Sequence, residues 1–179
     1  MTNGVINLKE TGVVRRLDEL GRVVIPKEIR KRLKIKNGDM VDIYTSDDVI
    51  ILQKYHPLNQ DLIPIKAILD SIKKEYNFDL LLFDDSKVIY STIADISSGS
   101  IVSIDFSKKA DAYIDKEISS KLNLNIIDGY LFNKDLYIQR ILANYEQYGY
   151  IAVIDDMISK KHKEALSIIN NYFMRILEH

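Results

Sequence analysis

Apolar residues fall along this chain in two rhythms. Over residues 11–55 they come as short β-branched runs: Val13-Val14, then Val23-Val24-Ile25, then Val41 and Ile43 alternating with Asp42 and Tyr44, then a returning run over 49–54. Separated by Leu20-Gly21-Arg22, Lys36-Asn37-Gly38-Asp39 and Ser46-Asp47-Asp48, these runs predict four short strands joined by turns. One helix interrupts them from Lys27, with Pro26 as its first residue, where a missing N–H costs nothing. Helical spacing puts Lys27, Arg30, Lys31 and Lys34 on one side and Ile29 and Leu33 on the other. The apolar pair therefore predicts the buried face and the cations the presented one. Residues 1–10 show no period and read as a lead-in.

Beyond Pro57, which cannot continue a strand ladder, the spacing lengthens. Ile65, Ile68, Leu69, Ile72 and Tyr76 predict a helix over 58–76, with Pro64 in its first turn. Residues 79–83 and 87–91 predict two strands around a turn at Asp84-Asp85-Ser86. After a break at Ser97-Ser98-Gly99-Ser100, residues 101–106 are compatible with a strand and 108–122 predict a helix. Residues 130–132, 137–143 and 150–154 predict further strands, the last two joined by a loop over 144–149. A long helix over 159–177 closes the sequence. Its Ala165, Leu166, Ile168, Ile169, Tyr172, Phe173, Ile176 and Leu177 form an apolar face wider than one covered side requires, which predicts core plus a partner surface. Helix, strands, helix, strands and long helix make an α+β pattern around an antiparallel sheet. Three segments result: a module over 9–56, a linker or oligomerisation helix over 57–76, and a second domain over 77–179.

Charge separates the two halves further. The chain of 179 residues carries a net charge of −1, but residues 1–37 hold 10 Lys/Arg against 4 Asp/Glu, whereas 56–179 hold 14 against 18. In the basic part arginine leads at the strand and turn positions (Arg15, Arg16, Arg22), and its planar fork suits phosphate and guanine edges. A one-signed surface of this kind points to nucleic acid, whereas an ordinary solvated face would mix its signs. At about 45 residues the first module is small for a self-sufficient core, which predicts dimerisation. No cysteine is present, so disulfides and thiolate metal sites are excluded. No apolar run approaches the roughly 20 residues of a membrane span, and residues 1–7 lack the basic start of a signal peptide. The expected location is the cytoplasm.

Candidate chemistry beyond binding is sparse. His56, His162 and His179 are the only histidines, each expected at the surface, and Asp84-Asp85 and Asp155-Asp156 read as solvated turns at strand ends. No glycine-rich phosphate loop and no metal-ligand spacing occurs, so no catalytic residue, metal or cofactor is expected. Tyr137, Tyr145, Tyr148 and Tyr150 either line a ligand cavity or sit half-buried in sheet and loop; the second is the better reading.

The run TGVVRRLDELGRVVIPKEIRKRLKIKNGDMVDIYTSDDVIILQKY, residues 11–55, resembles the DNA-binding domain of the AbrB-type transition-state regulators without a gap. The resemblance implies a swapped-hairpin β-barrel dimer whose arginines grip double-stranded DNA. Arg15, Arg22 and Arg30 occupy the motif positions. Lys31 stands where the family often has a second arginine, keeping the charge without the fork, and Arg16 is a further candidate. ILANYEQYGYIAVID with the terminal helix resembles a GAF-type sensory domain. The order of elements matches sporulation-type regulators that join these two domains in nearly this length. The expected protein is a nucleoid-associated transcription regulator, dimeric through its N-terminal module, tetrameric through its C-terminal helices and open to an unidentified GAF ligand. The alternative is a small-molecule sensor whose basic end contacts protein. An antitoxin, the other use of AbrB-type folds, would end in a short toxin-binding tail, whereas over 120 patterned residues follow here.

Overall fold

The computed structural model describes residues 11–33, 35–55, 57–59 and 62–178. Two compact units divide it, Met1–Lys54 and Tyr55–His179.

In the first unit the segment 11–26 contains no strand. Val13-Val14 and Val23-Val24-Ile25 instead form the arms of a loop whose pairing is confined to its neck, where the Asp18 N–H donates to the Arg22 carbonyl at 3.0 Å. Among the described residues the arms have no neighbouring strand to complete a ladder, and Val14, Leu17, Leu20 and Val24 lie exposed. Pro26 precedes the helix, with ψ at 148°, and is not its first residue; α1 is Lys27–Arg32. Ile29 is half-buried and Leu33 exposed, so the expected apolar face is only partly covered. Ile35, just past the helix end, is the buried residue there. Strands β1 (Val41–Ser46) and β2 (Val49–Lys54) form an antiparallel hairpin in which Ile43 faces Leu52 and Tyr44 faces Ile51. Asp47 turns it with a φ of 47°.

The second unit is built on a five-stranded antiparallel sheet in the order β4-β3-β7-β6-β5. Its strands are β3 (Asp79–Phe83), β4 (Val88–Ser91), β5 (Glu117–Ile118), β6 (Asp135–Ala143) and β7 (Glu146–Asp155). Both faces are covered, which is why the central strands read as nearly unbroken apolar runs such as LLLF and YIAVI. On one face Leu80, Leu82, Tyr137, Ile141, Ile151 and Val153 meet two helices, α2 (Leu62–Tyr76) and α4 (Lys160–Leu177). Ile65 and Leu69 of α2 and Leu166, Ile169 and Phe173 of α4 are buried there. On the other face Leu81, Phe83, Leu136, Ile138, Tyr150 and Ala152 pack under a short helix α3 (Ile104–Lys109) and the irregular segments around it.

Three expectations fail in this unit. The helix expected over 108–122 is displaced and broken. Ser103 caps α3 by accepting the Phe106 N–H at 3.0 Å, so the helix starts earlier; Asp115 then takes a φ of 56° and Ile118 is drawn into pairing with Leu136. Residues 130–132 form no strand; Tyr130 makes a single bridge to Ile127. The loop over 144–149 shrinks to Asn144-Tyr145, both at positive φ (50° and 63°), the backbone of a tight two-residue hairpin turn. Gly149 lies inside β7 instead.

Candidate nucleic-acid interface

The basic residues of the first unit reach the surface by two local structures. One is the loop over 18–22. Asp18 takes part in five hydrogen bonds that close it. Its backbone N–H donates to the Arg22 carbonyl and its carbonyl accepts from Gly21, both at 3.0 Å. Oδ1 accepts the N–H groups of Leu20 (3.0 Å) and Arg22 (2.8 Å), and Oδ2 accepts Arg22 Nε at 2.7 Å. Gly21 sits at φ 73°, the left-handed conformation that ends such a loop. The N–H of Arg22, first on the backbone and then on the side chain, holds the Asp18 carboxyl below the usual carboxylate range. Arg22 stays highly exposed while being held.

The other local structure is α1 with the turn after it. Lys27, Arg30, Lys31, Ile35, Lys36 and Asn37 line a shallow groove of about 340 Å³. Arg30 Nη1 donates to Asn37 Oδ1 at 2.8 Å, tying the helix to the turn. The turn is fixed in its own right: the Lys36 N–H donates to Asp39 Oδ2 at 2.8 Å and Lys54 reaches the same oxygen at 2.9 Å. Burial pulls the Asp39 carboxyl up, but these two donors outweigh it and hold it below the usual carboxylate range. Arg30, Lys31 and Arg32 also occupy the last turn of α1, where cations complement the helix dipole.

The expected contact residues thus fall into two sets. Arg30 and Lys31 share the groove. Arg15, Arg16 and Arg22 lie outside it on the exposed segment 11–26, and Arg15 Nη1 donates to the carbonyl of its own neighbour Val14 at 2.9 Å. Lys34 lies outside the described residues. Lys36 and Asn37 complete the groove, yet in the sequence they read only as turn. Asp18 was likewise legible as a charge, not as the partner of Arg22.

The second unit corrects one reading of the histidines. His162 is buried, not superficial. The Ser159 N–H donates to Nδ1 at 3.0 Å, which makes Nδ1 the acceptor and leaves the proton on Nε2 to donate to Asp155 Oδ2 at 2.9 Å. His162 thereby caps α4 and ties it to the end of β7. His56 and His179 lie outside the described residues. The four tyrosines do not converge: Tyr137 and Tyr148 pack on the helix side of the sheet, Tyr150 on the opposite side, and Tyr145 is fully exposed at the hairpin tip. Among the described residues no group of three or more His, Cys, Asp or Glu could hold a metal, and no helix is long and apolar enough to cross a membrane.

Comparison with known proteins bears on the first unit most directly. A family model described as antidote-toxin recognition MazE, bacterial antitoxin, matches residues 14–59. Transition state regulatory protein AbrB of Bacillus subtilis (strain 168) is 56% identical over 50 residues, 28% of this chain and 52% of AbrB, so the chain matches about half of that relative. The solution structure of the N-terminal DNA recognition domain of the same regulator is 56% identical, covering 28% of this chain and 94% of that one, with a TM-score of 0.26. Stage V sporulation protein T of Bacillus subtilis (strain 168) is 27% identical over 179 residues, 96% of this chain and 99% of that protein. The chain is thus related to the AbrB-type transition-state regulators through an AbrB-type domain, and along nearly its whole length it is similar to stage V sporulation protein T.

Proposed function

We propose that this chain is a DNA-binding transcription regulator of the sporulation type, acting in the cytoplasm as an oligomer on duplex DNA. The observation that carries the reading is the presentation of cations. Arg22 is held outward on a closed loop, and Arg30 and Lys31 line a groove with Lys27 and Lys36. Arg15 and Arg16 extend the basic surface along the exposed segment. Phosphates suit both arrangements, and the arginine forks suit guanine edges.

Self-association follows from what the first unit leaves uncovered. Val14 is 86% exposed, Val24 75%, Ile43 70% and Ile50 69%. Ile43 and Ile50 lie on the same face of the β1-β2 hairpin, and a two-stranded hairpin is at best marginal alone. Interleaving with a second copy, as the swapped-hairpin resemblance implies, would cover that face and give the arms at 11–26 strand neighbours. The second unit, net acidic and folded around its own sheet, pairs such dimers through α2 and α4, whose Ile63 and Ile168 are 84% and 67% exposed. Its resemblance to a GAF-type sensory domain makes small-molecule sensing its further role in this reading.

The antitoxin description of the matched family model is the second reading. Against it stands the unit Tyr55–His179, a folded body with a core on each face of its sheet where a short toxin-binding tail is expected. A mobility-shift titration of the full chain and of residues 1–57 on an AT-rich duplex tests the proposal. Binding by both, with the shorter piece dimeric and weaker, supports it, because pairing two dimers raises the effective concentration of the second set of contacts. Absence of any shift by the full chain would reject it.

A further inference from the structure

We infer that Asp18 is a positioning residue for DNA recognition: it holds Arg22 by Nε and presents the two terminal guanidinium nitrogens as a preset fork. The inference rests on the DNA-binding reading above and deepens it. A carboxylate beside a phosphate-seeking arginine is unfavourable for DNA by charge alone, since it repels the backbone that the arginine attracts. Its placement makes sense through geometry. One oxygen, Oδ1, accepts two backbone N–H groups and fixes the loop; the other, Oδ2, accepts Nε at 2.7 Å and fixes the side chain relative to that loop.

Nε is the one guanidinium nitrogen whose occupation leaves both terminal groups open side by side. An exposed arginine without such a partner distributes over many rotamers and must be ordered on binding; one held at Nε has been ordered in advance. Arg30 provides the contrast, for Asn37 engages its terminal Nη1, which leaves a less symmetric donor set. Gly21, with φ at 73° and open space where a Cβ would stand, lets the chain turn back so that Arg22 follows Asp18 at the required distance.

Asp18→Asn separates geometry from charge. The amide keeps one oxygen for the Leu20 and Arg22 N–H groups but turns an NH₂ toward Nε, and it removes one negative charge from the basic surface. Charge alone predicts tighter binding of the full chain to an AT-rich duplex. Positioning predicts the opposite, a loss of at least about threefold in affinity, the scale of coupling between groups in direct contact. In an Arg22→Lys background, which has no Nε to hold, the same substitution leaves only the charge effect and tightens binding. A second readout needs no DNA: in the free protein the Arg22 Nε–H resonance exchanges slowly with water, and Asp18→Asn makes it fast. Unchanged or tighter binding by Asp18→Asn, or equal weakening in both backgrounds, would overturn the inference while wild-type binding keeps the DNA reading intact. A wild-type protein that does not bind the duplex overturns both.

Discussion

Arg22 and Arg30, two of the proposed DNA contacts, are each held by a different neighbour, Asp18 and Asn37. Arg22→Ala removes a charge-assisted contact from an exposed loop. It is expected to weaken duplex binding by about 1–3 kcal/mol while light scattering returns the wild-type mass. Normal binding, or loss of folding, would show that the arginine turn is not a contact site. At the same scale the second unit depends on His162. Asp155→Ala removes the acceptor of its Nε2–H, leaving a buried donor unmatched, and is expected to lower stability to chemical denaturation by about 1–3 kcal/mol. Burial pulls the Asp155 carboxyl up, but the Asp156 N–H, His162 and Lys134 outweigh it and hold it below the usual value. A carboxyl depressed in the folded state contributes stability that is present above its unfolded value and lost as pH falls through the depressed one. Wild type should therefore lose stability toward acid by an increment that Asp155→Ala lacks, measurable as converging denaturation midpoints at low pH.

Among the elements, the terminal helix and the β6-β7 hairpin are the most informative. The apolar face of α4 read from the sequence mixed two kinds of residue that only the fold separates: Ile169 is 1% exposed in the core, whereas its neighbour Ile168 is 67% exposed. A charge at Ile169 would therefore unfold the unit, and Ile168→Asp is the variant that tests the partner surface. It is expected to lower the oligomeric mass in light scattering with the circular dichroism of the wild type; an unchanged mass would remove α4 from the interface. In the hairpin, Gly149 is needed for space as well as angle. A Cβ there would stand 2.6 Å from the Phe83 carbonyl oxygen, on a backbone at φ 148°. Gly149→Ala should destabilise the second unit by about 1–3 kcal/mol in a denaturant titration. Periodicity made β3, α2 and α4 legible because each buries one stripe or two faces over several residues. It failed at 108–122, where a Ser103 cap, a left-handed Asp115 and a two-residue strand act through single residues that no period records.

Along the whole chain, a basic first part and a net acidic remainder match the binding and assembly roles proposed for the two units. The charge pattern was visible in the sequence, and so were Arg15, Arg16, Arg22, Arg30 and Lys31 as basic candidates, which the fold divides between the segment 11–26 and the groove at α1. What holds the arginines was not, because Asp18 and Asn37 act by hydrogen-bond geometry across a turn, and a lone carboxylate in a basic run reads as mere charge balance. The strands expected over Val13-Val14 and Val23-Val24-Ile25 illustrate the converse. Their β-branched pattern is strong, yet the described residues offer them no ladder; the second copy proposed above would supply one.

The central claim, that this basic module holds duplex DNA by several phosphate contacts at once, is tested most directly by the salt dependence of binding. Affinity of the full chain for an AT-rich duplex should fall linearly on a double-logarithmic plot. With about six contacts per dimer it should fall by about a thousandfold between about 50 and 200 mM salt. A response that is flat over that range would contradict the account.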